Sequence, residues 1–111
     1  MAEEKRELPT RRFNCPADLF GPGKFIDRRR FIKTRNITAL ENAIKVDQDL
    51  QKAHGIMARY IAEWNLDDCE TGEPLPQPGE NPDVFNDVDT GEQLVWIVNE
   101  VFLSPNPQRP K

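Results

Sequence analysis

One histidine, His54, and two cysteines, Cys15 and Cys69, are all that the 111 residues hold of either type. A Ser-His-Asp set then has a single candidate base and no nucleophile elbow to go with it. No phosphate loop of the form G-x-x-x-x-G-K-[ST] occurs either. Without a C-x-x-C pair, a four-ligand zinc site would have to borrow carboxylates. Nothing in the spacing of the two cysteines supports a disulfide. Long apolar runs are absent too: apolar residues make up 37% of the chain, and none of its segments approaches the ~20 that a spanning helix needs. Met1 to Lys5 carries no apolar stretch, so a signal peptide is not expected and reduced thiols in a cytoplasm are. These gaps argue against an enzyme, a cofactor protein and a membrane protein.

Basic residues are missing from a long stretch. Between Arg59 and Arg109 there is no Lys or Arg, while eleven acidic residues fall there. Residues 1–40 carry a balance of +5 and residues 41–111 one of −9. Such polarity draws the front of one copy toward the back of another, or folds a basic arm back on its own acidic body. The run Arg28, Arg29, Arg30, Lys33 and Arg35 has the residue types that meet phosphate. The chain as a whole is acidic, at net charge −4, so nucleic acid is a disfavoured partner.

What is present reads as helices with irregular flanks. Residues 1–37 are expected as an extended basic arm, broken by Pro9, Pro16, Gly21, Pro22 and Gly23. Phe13 and Phe20 are its scattered anchors, and a short strand or bent strand pair is expected at 24–33. Thr38-Ala-Leu-Glu41 fits a capping box and predicts a first helix from Thr38. Leu50, Ala53, Met57, Tyr60, Ile61 and Trp64 lie on one helical face and predict a main helix over about 47–64. Gly55 inside it suggests a close helix–helix approach. Residues 65–89 predict an acidic loop stiffened by Pro74, Pro76, Pro78 and Pro82. Thr90-Gly-Glu-Gln93 opens a last helix to Phe102, whose stripe Leu94, Ile97, Val98 and Val101 leaves Trp96 on the far side as a partner contact. A Pro-rich tail covers 103–111. The expected fold class is mostly α, with two or three helices packed over 38–102.

Two acidic segments invite a metal reading: Asp67, Asp68, Glu70 and Glu73, and Asp87-Val-Asp89-Thr-Gly-Glu92. Neither supplies the calcium-loop pattern, and solvated carboxylates are the expectation. The helical position of His54, between apolar neighbours, marks a boundary residue rather than a base.

The segment Tyr60-Ile-Ala-Glu-Trp64-Asn65-Leu66-Asp67-Asp68-Cys-Glu-Thr-Gly72-Glu73-Pro74-Leu75-Pro76 resembles a pattern in small proteins of tailed bacteriophages. There a helix ends in Trp-Asn, followed by an acidic turn with Gly, a Pro-Leu-Pro strap and a short apolar helix. The group it resembles most is the tail-assembly chaperone-like proteins encoded among siphophage tail genes. The resemblance spans roughly 38–102 and is tightest at 60–76. It implies a non-enzymatic role in building the particle, where such chaperones coat the tape-measure protein before the tube polymerises. It carries over Trp64, Asn65, Gly72, Pro74, Leu75 and Pro76 as positions that fix the fold. The long basic arm and Cys69 depart from the group and suit a permanent particle component.

The physics of that motif is readable by itself. Trp64 closes the main helix as a large apolar plate, Asn65 takes the left-handed conformation that ends helices, and the strap presses Leu75 onto the plate. The expected function is thus protein–protein assembly in a phage tail or virion, as chaperone or minor component of head, neck or tail. The expected partners are other phage assembly proteins or further copies of the chain, met in the host cytoplasm or the virion. Phe13, Phe20, Arg28, Arg29, Arg30 and Trp96 are the expected partner contacts. The alternative from a different class is a small acidic regulatory binder, a DNA mimic that uses the carboxylates of 63–92 on a host protein.

Overall fold

The computed structural model describes residues 8–89 and 91–103. Its chain order is β1 (Thr10–Asn14), α1 (Ala17–Phe20), β2 (Phe25–Arg29), α2 (Thr34–Lys45), α3 (Leu50–Tyr60) and β3 (Ile61–Trp64). A 3-10 helix at Pro82–Asp87, α4 (Glu92–Trp96) and a π-helical segment at Ile97–Phe102 complete it. Three antiparallel strands in the order β1-β2-β3 form one sheet. With 46% helix and 17% strand the fold is α/β, which corrects the mostly α expectation.

The reason lies in the strands themselves. β1 and β2 read TRRFN and FIDRR, and their charges hide any alternation of apolar and polar residues. They pair because one turn with two glycines returns the chain on itself: Gly21 and Gly23 take φ of 95° and 75°, a region that L side chains rarely enter. Phe13 then lies opposite Ile26, and Arg12 opposite Asp27. Residues 10–29 thus contribute two strands to the same sheet as β3.

β3 corrects the main-helix expectation. Ile61 and Trp64, three apart, share a helical face in a periodic reading, but α3 stops at Tyr60. The two side chains both reach the core because β3 carries an extra residue. Trp64 pairs with Ile26, Glu63 with Asp27, and Ile61 with Arg28, so the ladder skips Ala62. A bulge that adds one residue turns two positions of opposite parity onto one face. Trp64 is therefore a strand residue and not the end of a helix.

α2 begins one turn earlier than the Thr38 capping box suggests, at Thr34 after Lys33, with no side-chain cap. It buries Leu40 and Ala43. Gln48, at φ 53°, makes the turn into α3, and Asp49 caps that helix by accepting from Lys52 N at 3.1 Å. α3 buries Ala53, His54, Ile56, Met57 and Ala58. A Cβ at Gly55 would meet nothing within 4 Å, so this glycine does not mark a close helix approach.

The 65–89 segment is more ordered than a strap. It contains the 3-10 helix, which buries Val84 and Phe85 and opens at Asn81, whose side chain accepts from Asp83 N. The cap expected at Thr90 lies outside the described residues, as do residues 1–7 and the 104–111 part of the tail. α4 runs into the π-helical segment, where Leu103 N donates to Val98 O at 2.9 Å, an i to i−5 bond. The wider turn lets Ile97, Val101 and Phe102 all face inward. The core unites these with Ile26, Leu40, Met57, Trp64 and Phe85.

Candidate functional site

The motif residues of 60–76 converge, and most of them build the fold. Trp64 is 2% exposed. Its indole Nε1 donates to Pro76 O at 3.0 Å, and its ring meets Phe85 edge-on at 5.4 Å. Asn65 is not left-handed; the one described non-glycine residue at positive φ is Gln48. Its amide serves β2 instead, with Oδ1 accepting from Phe25 N at 2.8 Å and Nδ2 donating to Gly23 O at 2.9 Å. Leu75 is buried and its N–H donates to Leu66 O at 3.0 Å.

Between these anchors stands an acidic turn. Asp67 bridges to Pro74, Asp68 N donates to Glu73 O at 2.7 Å, and Gly72 N donates to Asp68 O at 2.8 Å. Asp68 Oδ1 accepts from Glu70 N and Thr71 N. Gly72 sits at φ 79°, which the turn requires. The turn is therefore rigid, while Glu70, Glu73, Pro74 and Pro76 stay exposed on its outside. A cleft of about 440 Å³ lies beside it, lined by Asp68, Cys69, Glu70, Asn86, Asp87, Val88 and Asp89. Among the described residues no group of three or more His, Cys, Asp or Glu side chains converges to hold a metal ion. No helix among them is long and apolar enough to cross a membrane.

The basic residues take two different roles. The Arg28 guanidinium is turned inward and donates to the carbonyls of Val101 at 2.6 Å, Arg29 at 2.9 Å and Arg30 at 3.2 Å. It thereby caps the π-helical segment, and burial, helped by nearby Arg11, holds its pKa below the usual arginine range. Arg28 is thus a structural residue and not a free partner contact. Arg12 forms a two-pronged pair with Asp27 at 2.8 and 3.0 Å and stacks over Phe25 at 3.8 Å. Arg29 and Arg30 remain available: Arg29 lines a groove and Arg30 lies over the Phe31 ring at 5.6 Å.

That groove was not legible as a unit in the sequence. It holds about 390 Å³ between Leu8, Pro9, Arg29, Phe31, Arg59 and Tyr60. Phe31 is 72% exposed and Leu8 57%, so two apolar side chains stand open beside two guanidinia. A second trough on the same two arginines continues past Gly55 and Ala62 to Pro78, Gly79 and Pro82. The available signal was a repeated Arg-aromatic pair, Arg30-Phe31 and Arg59-Tyr60.

The expected aromatic contacts are partly buried and meet one another or nearby arginines. Phe20 packs edge-on against Trp96 at 5.6 Å, and Gln93 Nε2 donates to Leu19 O at 2.8 Å. The two rings pack on each other and both remain partly exposed. Phe13 is half-buried with Arg11 at 4.8 Å and Arg28 at 5.2 Å from its ring.

The charge pattern resolves along the sheet. Lys24 stands just before β2, paired with Asp67 at 2.8 Å, and Arg29 ends β2, beside Arg59. The acidic turn and the basic groove therefore occupy opposite ends of the sheet, roughly 20 Å apart at about 3.4 Å per residue. Among the described residues the ion pairs are Arg12–Asp27, Lys24–Asp67 and Lys45–Glu41. Arg29, Arg30 and Arg59 join none of them, nor do Glu70, Glu73, Glu80 or Asp83.

Comparison of the chain with protein-family models, with curated proteins and with solved structures gives no match.

Proposed function

We propose that the chain is a non-enzymatic assembly protein of a tailed bacteriophage. It works through protein–protein contacts in tail or virion morphogenesis, as a tail-assembly chaperone or as a minor component of head, neck or tail. It acts in the host cytoplasm during assembly or within the virion.

One observation carries this reading. The cations at one end of the sheet and the carboxylates at the other are not used to neutralise each other within the chain. The arm does fold onto the acidic body through the Lys24–Asp67 pair, yet Arg29, Arg30 and Arg59 at one end and Glu70 and Glu73 at the other join no ion pair among the described residues. Charge left unpaired at two separate ends instead serves encounter with other molecules, steering association and fixing register. The resemblance at 60–76 supplies the setting, and the rigid turn built by that segment supplies a contact feature. A DNA mimic needs a surface of one sign; the groove of Arg29 and Arg59 weighs against that alternative.

Capture tests the reading. Tagged protein mixed with the products of neighbouring tail genes is expected to retain one of them at low salt and release it at high salt. Purified particles separate the two versions: a peptide from 91–102 at stoichiometric copy number marks a virion component, and its absence marks a chaperone. Failure to retain any tail or head protein sinks the reading.

A further inference from the structure

We propose that the groove of Leu8, Pro9, Arg29, Phe31, Arg59 and Tyr60 receives the acidic Glu70–Pro76 turn of a second copy of the chain, so that copies join head to tail. The inference deepens the assembly reading and rests on it.

Three complementarities support this occupant. The first is charge: Arg29 and Arg59 flank the groove, Glu70 and Glu73 are exposed on the turn, and none of the four forms an ion pair among the described residues. A guanidinium presents a planar fork that carboxylates fill in two-pronged fashion. The second is surface chemistry. Phe31 and Tyr60 offer aromatic faces, and the turn offers the exposed rings of Pro74 and Pro76 on an extended stretch. Aromatic-lined grooves take proline-bearing extended segments because the segment is stiff before it binds.

The third is preorganisation. The turn is held by the Asp67–Pro74 bridge, by the Asp68 carboxylate and by Leu75 pinned to Leu66. Little chain entropy is then lost on docking. The buried members of the motif, Trp64, Asn65 and Leu75, hold the outward ones in place.

Geometry makes the contact intermolecular. Groove and turn lie at opposite ends of the same sheet, so one chain cannot close them on each other. Joining unlike surfaces is a heterologous contact, which yields a ring if the rotation closes and an open helical array if it does not.

The test is a charge swap read by sedimentation of the full chain. Wild-type protein at ~0.1 mM and low salt is expected to form oligomers that weaken at least about tenfold as salt rises from ~0.05 to ~0.5 M. Arg29→Glu with Arg59→Glu gives a chain acidic at both ends, and Glu70→Lys with Glu73→Lys gives one basic at both. Each is expected to be monomeric with far-UV circular dichroism unchanged: Arg59, Glu70 and Glu73 are exposed, and half-buried Arg29 stands at the end of β2, where its change is expected to lower melting only slightly. An equimolar mixture of the two is expected to assemble again.

A monomeric wild-type chain at low salt overturns the proposal. So does an arginine double variant that assembles like wild type, or a mixture that stays monomeric. A single-stranded oligonucleotide that binds the wild type but not the arginine double variant, and dissolves no oligomer, reassigns the groove to nucleic acid and also overturns it. A wild-type monomer that still captures a tail protein removes this inference and leaves the assembly reading standing. Oligomers that capture no particle protein do the reverse.

Discussion

Gln77 holds Trp64 by both of the tryptophan's backbone polar groups. Its Oε1 accepts from Trp64 N and its Nε2 donates to Trp64 O, each at 2.9 Å. The side-chain amide thus takes the place of a fourth strand along the outer edge of β3.

This clamp predicts two graded losses. Trp64→Ala removes a buried ring and its bond to Pro76, and is expected to cost about 3–5 kcal/mol. Gln77→Ala leaves Trp64 N–H and C=O without those partners and is expected to cost about 1–3 kcal/mol. Chemical denaturation of both variants checks the order; a Trp64→Ala loss below that of Gln77→Ala contradicts it.

Arg28 is expected to be harder to replace than Arg29 or Arg30, although the three are adjacent in sequence. Arg28→Met keeps the stem but withdraws donors from the carbonyls of Val101, Arg29 and Arg30, at an expected cost of about 2–3 kcal/mol. The same change at Arg30, exposed and without an ion pair among the described residues, is expected to stay within about 0.5 kcal/mol. Thermal unfolding of the two variants measures the difference.

Gly55→Ala is expected to stabilise the chain by about 0.5–1 kcal/mol. The position is inside α3, its Cβ would enter open space, and alanine loses less backbone freedom on folding. A fall in melting temperature would mean that the trough beside Arg59 is occupied in solution.

His54 predicts a pH dependence. It is 6% exposed, its ring centre lies 5.3 Å from that of Phe85, and its Nε2 has no hydrogen-bond partner among the described residues. Burial holds its pKa below the ordinary 6.5, partly opposed by the Asp83 carboxylate. The unfolded chain then binds the proton more readily than the folded one. Stability is complete above about pH 6.5 and declines as pH falls below it, by at most ~1.4 kcal/mol per pH unit. His54→Leu is expected to flatten the unfolding free energy between about pH 5.5 and 7; an unchanged slope would assign the effect to other groups.

Helices were legible where apolar residues repeat at helical spacing: α2, α3 and the last helix lie close to their predicted places. Of the strands, only β2 was legible, as the short strand expected within 24–33. β1 and β2 spend their side chains on arginines that stack on Phe13 and Phe25 or pair with Asp27, and no alternation survives that. β3 was masked because a bulge imitates helical spacing at Ile61 and Trp64. The clamp on Trp64 was visible as a Trp with a proline strap, but Gln77, which holds it, carries no local signal. The groove is nonlocal: Leu8, Phe31 and Tyr60 meet only because β1, β2 and the end of α3 are joined by the sheet.

The skipped residue at Ala62 makes the irregularity of β3 as decisive as its composition. If all four residues paired in strict alternation, Trp64 would face open water while Ile61 stayed in place. The Pro76 carbonyl would then lose its indole partner and Phe85 the ring it packs against. Deleting Ala62, by contrast, would set Ile61 and Trp64 two apart on one face of an unbulged strand, so position 62 is a spacer that the register absorbs and the interior never sees.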